Sequence, residues 1–242
     1  AQGMNRFALT DTNGLYGLHF FLRSAKEAGI RPIVGSEVSA DRHRAVLLVR
    51  NEEGYANLCR ILSDRHCRQD FDLILSLREW REGLIVLSDD FPLLKALRRD
   101  SDEGLFVEMS PGYNMAGCYA FSRKSGIPPL ATNRVHLITK EQFPLHRILR
   151  AVALNTKLSR LLPEQTCREH NFLNSPGSMV DQFPHAPRAV RNSLEAADQC
   201  LTDWDFGRIL FPRFEHMTDG EAYETLSRAT LEGCRRLSLI HI

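Results

Sequence analysis

The stretch FALTDTNGLYGLHFFLRSAKEAGIRPIVGSEV, residues 7–38, is the most informative about the fold, because it contains two strand patterns separated by one helical pattern. Its strand candidates are the apolar runs 7–10 and 32–38. The helical pattern between them ends at Gly29, where a C-cap is expected. Its apolar face consists of Leu15, Leu18, Leu22 and Ala25. The stretch therefore predicts parallel strands joined by a helix.

The same alternation continues to about residue 154 and predicts an α/β fold class. Further strands are predicted at residues 45–49, 84–88, 105–109 and 128–132. Asn51 is a natural N-cap for the helix that follows it. Beyond residue 154 the strand signal fades, and short helices are expected. Longer helices are predicted to begin near residues 187 and 219, with an extended arm at residues 206–217.

The composition argues against several classes of protein. Lys and Arg total 31 and Asp and Glu total 30, so the net charge of +1 provides no general attraction to nucleic acid or anionic membranes. No apolar run approaches the roughly 18 residues of a membrane span, and no signal peptide is recognisable, so a cytoplasmic protein is expected. The six cysteines are scattered without a CxxC pair, which is typical of free intracellular thiols. No GxGxxG, Walker, GxSxG or HExxH motif is present.

Ligand sites in folds of this class lie at the carboxyl ends of the strands. The residues at those ends are Thr10–Asn13, Glu37, Ser88–Asp90 and Thr132–His136. Each candidate also has an ordinary structural interpretation. Asp89 and Asp90 precede a helix, as N-caps do, and Glu37 alone is typical of a salt bridge. His136 alone is typical of a hydrogen-bonded histidine, and Asp11 of a residue that stabilises a turn.

Four stretches resemble successive motifs of one known family. They are residues 7–38, LLVRNEEGYANLCRILS (47–63), GLIVLS (83–88) and GIPPLATNRVHLIT (126–139). Together they resemble the PHP (polymerase and histidinol phosphatase) domain at the front of bacterial C-family DNA polymerases, the polymerase III alpha subunits and their error-prone relatives. Residues 170–215 and 222–236 resemble the segment in which those polymerases leave the PHP domain for the palm. The resemblance covers nearly the whole chain, in order.

This resemblance implies a distorted seven-stranded β/α barrel followed by a mostly helical connection toward the polymerase palm. It divides the chain into a PHP domain at residues 1–160, without its first strand, and an incomplete connection at residues 161–242. The full-length protein would be a DNA-directed DNA polymerase, with Mg²⁺ bound by palm aspartates downstream of Ile242. Its implied partners are DNA, a proofreading exonuclease subunit and a sliding clamp, and no membrane.

Complete PHP domains hold up to three divalent metals with His, Asp, Glu and Cys side chains at one end of the barrel. Such ligands suit the chemistry, because several metals together polarise a phosphodiester and activate water. By resemblance, Glu37 and His136 match two of these ligands, and Asp11 is also retained. His66 matches a further histidine position only loosely.

Other positions of the motif differ from those of metal-binding members. Thr12 stands where they carry a histidine, and Asp89 and Asp90 replace a Gly-Cys pair. Arg134 stands where they carry an aspartate ligand, and its fixed positive charge opposes cation binding. The PHP site is therefore expected to be degenerate, with no cofactor and with Glu37 and His136 as vestigial ligands. We hypothesise that Arg134 instead forms a salt bridge with Glu37 or with the two aspartates.

Two other functions stay open from the sequence. A stand-alone PHP phosphoesterase is disfavoured by these ligand losses and by the polymerase-like segment from His170 onward. A working metal-dependent exonuclease within the polymerase would require metal to bind with Thr12 and Arg134 in place. The leading prediction is a PHP region that acts as a scaffold, or as a dock for a separate exonuclease, inside a DNA polymerase.

Overall fold

The structure of the protein, a computed structural model, describes residues 3–201, 214 and 216–241. It divides into two compact units, residues 1–204 and residues 205–242. The extended arm predicted at residues 206–217 lies mostly outside the described residues. The domain boundary predicted at residue 160 stays a prediction.

Six strands and eight α-helices are described in the first unit. The strands are β1 (Arg6–Thr12), β2 (Arg31–Ala40), β3 (His43–Val49), β4 (Leu84–Ser88), β5 (Leu105–Met109) and β6 (Pro129–Ala131). The helices are α1 (Leu18–Glu27), α2 (Glu52–Cys67), α3 (Leu73–Trp80), α4 (Phe91–Arg98), α5 (Met115–Ser125), α6 (Phe143–Ala153), α7 (Pro176–Gln182) and α8 (Pro187–Gln199). Short 3-10 helices cover Lys140–Gln142, Leu158–Arg160 and Pro163–Gln165. The second unit contains α9 (Asp219–His241). The six predicted strands and the helices predicted near residues 187 and 219 are confirmed.

The six strands form one curled sheet in the order β1-β2-β3-β4-β5-β6, which confirms the α/β class and agrees with a PHP-type distorted barrel. The prediction of parallel strands is wrong for β3, which runs antiparallel to both β2 and β4. Ala40 pairs with His43 across a two-residue turn, and Asp41 takes a positive φ of 50°. A turn of two residues can only join antiparallel neighbours. The other three pairings are parallel.

Helices cover both faces of the sheet. Because successive strand residues point to opposite faces, Leu47 of β3 lies in the main apolar core and its neighbour Leu48 lies in a smaller core on the other side. The main core contains Leu58, Leu77 and Leu93 from α2, α3 and α4. The smaller core contains Ile33, Ile85 and Ala196, the last from α8. All residues of β4 are buried, as expected of a strand covered on both sides.

The predicted helix ends are also present. The Asn51 side chain accepts a hydrogen bond from the backbone N–H of Gly54 at 2.9 Å, which caps α2. Gly29 follows α1 with a φ of 65°, a left-handed conformation that glycine adopts without a side-chain clash. No helix in the described part of the chain is long and apolar enough to cross a bilayer.

Candidate functional site

A cluster of charged side chains lies at the carboxyl ends of the strands. Glu37 belongs to β2, Glu108 to β5, and Asp89 follows β4. Because β3 runs antiparallel, its beginning lies at the same edge and brings Arg44 into the cluster. Arg134, which follows β6, completes it. We call these five residues the strand-end network.

Glu108 is the centre of the strand-end network. Its side chain is only 1% exposed. One carboxylate oxygen, Oε2, accepts hydrogen bonds from Arg44 Nη1 at 2.5 Å and from Arg134 Nη2 at 2.8 Å. The other, Oε1, accepts from the Thr132 hydroxyl at 2.7 Å. A buried carboxylate is stable only with such partners, so the two arginines supply the charge compensation that Glu108 requires.

Arg44 connects Glu108 to the end of β2. Its Nε and Nη2 atoms donate to Glu37 Oε2 at 2.8 and 2.6 Å, and Nη1 lies 3.6 Å from Asp89 Oδ1. Burial is the largest influence on the pKa of Arg44 and lowers it. The attraction of Glu108 and Glu37, with the hydrogen bonds to both, outweighs burial and raises that pKa above its ordinary value. Arg44 is therefore a permanent cation held between carboxylates.

Arg134 joins Glu108 to Asp89, with Nη2 2.7 Å from Asp89 Oδ2. Its backbone has a φ of 44°, in the left-handed region that non-glycine residues rarely adopt. The guanidinium carbon lies 4.1 Å from the centre of the Tyr113 ring, within cation–π distance, and Arg168 lies 4.5 Å from the same ring. Packing and ion pairing thus hold Arg134 in an unfavourable backbone conformation.

The structure brings together three of the predicted site residues, Glu37, Asp89 and Arg134, and Arg134 forms the hypothesised salt bridge with Asp89. His136 is exposed and is not part of the network. Its Nδ1 lies 2.7 Å from the backbone oxygen of Arg134, and its ring centre lies 6.2 Å from that of His146. In the described residues His136 has no hydrogen bond or ion pair with Glu37.

Asp11 and Asp90, two other predicted site residues, each stabilise the start of a helix. Asp11 accepts a hydrogen bond from the backbone N–H of Gly17 at 2.7 Å, which stabilises the entry to α1. Asp90 caps α4, as its ordinary interpretation predicts, and also pairs with His43 at 2.5 Å. Asp89 has no capping role, because the network engages it instead.

Two further candidates lie at the end of β1 and on α2. Thr12 is exposed and stands opposite Glu37 in the pairing of β1 with β2. His66, the loose match, is exposed, and its Nε2 lies 2.6 Å from the backbone oxygen of Asn13. Neither side chain belongs to the strand-end network.

The donor set does not fit a multinuclear metal centre. A guanidinium group already bonds one carboxylate oxygen of Glu37, of Glu108 and of Asp89, and its positive charge stands where a metal would have to bind. Cys118 is a buried thiol beside the network, and burial, with the negative charge of Asp89, raises the pKa of Cys118 to about 11. In the described part of the chain, no three or more His, Cys, Asp or Glu side chains are grouped to hold a metal ion.

Three important residues were not among the sequence candidates: Arg44, Glu108 and Tyr113. Glu108 had a visible signal, because a glutamate inside the apolar strand LFVEM needs a cation partner wherever such a strand is covered on both faces. Arg44 could be recognised only if β3 were known to run antiparallel. Tyr113 lies in a loop without a distinctive sequence pattern, so no signal identifies it in advance.

Comparison with known proteins identifies the family of the domain. The sequence profile of the PHP domain matches residues 1–148, and the chain belongs to this domain family. Beyond the domain, the chain is 27% identical to an error-prone DNA polymerase of Symbiobacterium thermophilum, over 97% of this chain and 26% of the relative. It is 26% identical to a DNA polymerase III subunit alpha of Chlamydia pneumoniae, over 99% of this chain and 25% of the relative. A Bacillus subtilis DNA polymerase III subunit alpha is 27% identical over 96% of this chain and 23% of its own length.

The chain spans about a quarter of the length of the curated relatives it matches. The similarity to these polymerases continues well past residue 148, where the match to the PHP domain ends. The helical segment that contains α7 and α8 is therefore part of what the chain shares with them.

Proposed function

We propose that the chain is the PHP region and palm-proximal connection of a bacterial DNA polymerase III alpha-type or error-prone polymerase, a cytoplasmic enzyme. The observation that carries this proposal is the extent of the similarity, which includes the helical segment after residue 148. A stand-alone phosphoesterase would have no reason to share that segment with polymerases. The six free cysteines agree with a reducing compartment.

In this proposal, templated DNA synthesis belongs to the full-length protein. Its palm would bind Mg²⁺ and its substrate would be DNA, whereas the exonuclease subunit and the sliding clamp are partners implied by the family resemblance alone. The test is to sequence the coding DNA downstream in the same reading frame. A palm with paired aspartates, and Mg²⁺-dependent primer extension by the full-length product, are expected. A stop codon shortly after residue 242 would contradict the proposal.

Within the polymerase, the strand-end network acts as a metal-free structural support. Glu108 supports this role, because both of its arginine partners are fixed cations that occupy the place of metal ions in a carboxylate cluster. Three carboxylates facing one another would repel, and two guanidinium groups remove most of that repulsion without any bound ion.

Metal analysis of the purified chain tests the structural role. After dialysis, we expect far less than one equivalent of manganese or zinc by mass spectrometry. We also expect EDTA to leave the urea unfolding midpoint unchanged. One or more tightly held equivalents, with a lower midpoint in EDTA, would instead favour a working metal-dependent exonuclease.

A further inference from the structure

A cavity with both apolar and charged walls lies next to the strand-end network. It has a volume of about 790 Å³, within the range of small-molecule sites. Tyr113 lines it and also contacts Arg134, so this ring separates the network from the cavity. The other walls are the beginning of α6 and the connection at residues 161–170. We call this cavity the α6 pocket.

Two arginines line the α6 pocket without the partners that the network arginines have. Arg147 is half-buried on α6, and its side chain has no hydrogen bond or ion pair with any described residue. Arg168 is exposed, and its guanidinium lies over the Tyr113 ring but has no hydrogen bond or ion pair with any described residue. A guanidinium group offers several donors in a planar fork that matches the oxygen atoms of a phosphate. The pocket therefore presents two unused anion-binding groups.

The acidic residues of the pocket leave those groups available. Glu169 lies 3.7 Å from Lys140, which offsets its charge. Glu164 is exposed and has no ion pair with a described residue. Since neither carboxylate pairs with Arg147 or Arg168, both guanidinium groups stay free to meet an anion from solution.

The rest of the lining suits a flat, partly apolar ligand. Phe143 contributes aromatic surface, and Leu161 and Leu162 contribute aliphatic surface, whereas the Tyr113 ring is already stacked against Arg134 and Arg168. Aromatic rings and arginine planes stack on nucleic acid bases without requiring a particular base. A ligand that combines a planar base with a phosphate matches both halves of the lining.

We propose that the α6 pocket binds a nucleotide unit, with its phosphate at Arg147 and Arg168 and its base against the aromatic and leucine surface. The unit could be a free nucleotide or the end of a single strand. This inference goes beyond the proposed function and does not depend on the absence of metal from the network.

The test is a binding titration of the purified chain with thymidine monophosphate and with fluorescent oligothymidylate. Arg147→Gln and Arg168→Gln should each weaken binding by roughly tenfold, the usual effect of losing a charged hydrogen bond. Arg123→Gln, at an exposed arginine of α5, is the matched control and should leave binding unchanged. Inorganic phosphate should compete at least roughly tenfold more weakly than the nucleotide, because it lacks the base.

Tighter binding of the oligonucleotide than of the mononucleotide assigns the pocket to strand ends, and equal binding assigns it to free nucleotides. The proposal is overturned by an absence of saturable binding, by an equal loss in Arg123→Gln, or by phosphate or a glutamate-rich peptide competing as well as the nucleotide. Phenylglyoxal modification of the unaltered chain provides a readout that needs no variant. The nucleotide should slow the modification of Arg147 and Arg168 but not that of Arg123.

Discussion

The strand-end network and the α6 pocket each contain two arginines, and the Tyr113 ring lies between the two regions. The two pairs of arginines differ in whether carboxylates neutralise their charge. Arg44 and Arg134 contact three carboxylates in a largely buried cluster. Arg147 and Arg168 have no carboxylate partner in the described residues and line an open cavity. The partners of an arginine, more than its position at a strand end, therefore indicate its role. Neutralised guanidinium groups stabilise the fold, and unpaired ones are available for a ligand.

Removing the central carboxylate of the strand-end network should cause the largest loss of stability. Glu108→Ala leaves two largely buried guanidinium groups facing each other, and we expect a loss of about 3 kcal/mol in the free energy of unfolding. Urea unfolding followed by circular dichroism measures this change. Glu103→Ala is the control, because Glu103 forms an exposed pair with Arg50 and should hardly matter. If Glu108→Ala and Glu103→Ala were equally stable, the network would have no structural role.

Replacing an arginine with alanine should destabilise the protein in the strand-end network but hardly at all in the α6 pocket. Arg134→Ala leaves Glu108 and Asp89 with fewer partners, and we expect it to cost about 2 kcal/mol of unfolding free energy. Arg147→Ala should change that free energy by less than about 0.5 kcal/mol, as substitutions without partners usually do.

A third variant separates the charge of Arg134 from its backbone conformation. Asparagine tolerates the left-handed region better than alanine, so Arg134→Asn should be less destabilised than Arg134→Ala while lacking the same ion pairs. If the asparagine variant regained full stability, backbone strain rather than ion pairing would explain the effect. A network role requires both variants to remain below the unaltered chain.

Much of the fold could be predicted, because its signals are local. The apolar runs of β4 and β5 and the cap at Asn51 are each contained within a few residues. The direction of β3 has no local signal in the sequence, because the turn at Asp41 lacks the Asn-Gly or Asp-Gly pattern that identifies hairpins. That error also hid Arg44, whose place in the site depends on the direction of its strand.

The site was only partly predictable for a related reason. Arg134 and Asp89 both follow strands, so the strand-end rule found them. The Arg44–Glu108 contact joins residues 64 positions apart, and nothing in either local sequence identifies the other. Long-range ion pairs of this kind become visible only when the register of the sheet is known.

Salt should distinguish the two regions by a smaller effect. Raising NaCl from about 0.05 to 0.2 M should weaken oligonucleotide binding to the α6 pocket severalfold, because phosphate contacts compete with counterions. The stability difference between the unaltered chain and Arg134→Ala should persist, since largely buried pairs are poorly screened. Parallel titrations and unfolding curves at both concentrations measure this. Binding that is independent of salt would argue against a phosphate contact.

The smallest expected effect concerns the wall of the α6 pocket. His146 of α6 accepts a hydrogen bond from the backbone N–H of Cys167 at 3.0 Å, which requires a neutral Nε2. Burial, with the positive charges of His136 and Arg150, lowers the pKa of His146 below its ordinary 6.5. The unfolded chain therefore binds the proton more readily, so this contribution to stability is present above pH 6.5 and is lost as the pH falls through the lowered pKa.

His146→Gln should reduce the fall in unfolding free energy between about pH 7 and pH 5, because glutamine keeps an acceptor but does not titrate there. His185→Gln, at an exposed histidine outside the pocket, should retain the full dependence of the unaltered chain. Urea midpoints at three pH values suffice for this comparison. An identical pH dependence in both variants would mean that the link between α6 and Cys167 does not respond to protonation. The wall of the α6 pocket would then resemble Arg44 of the strand-end network, whose positive charge is constant between pH 5 and pH 7.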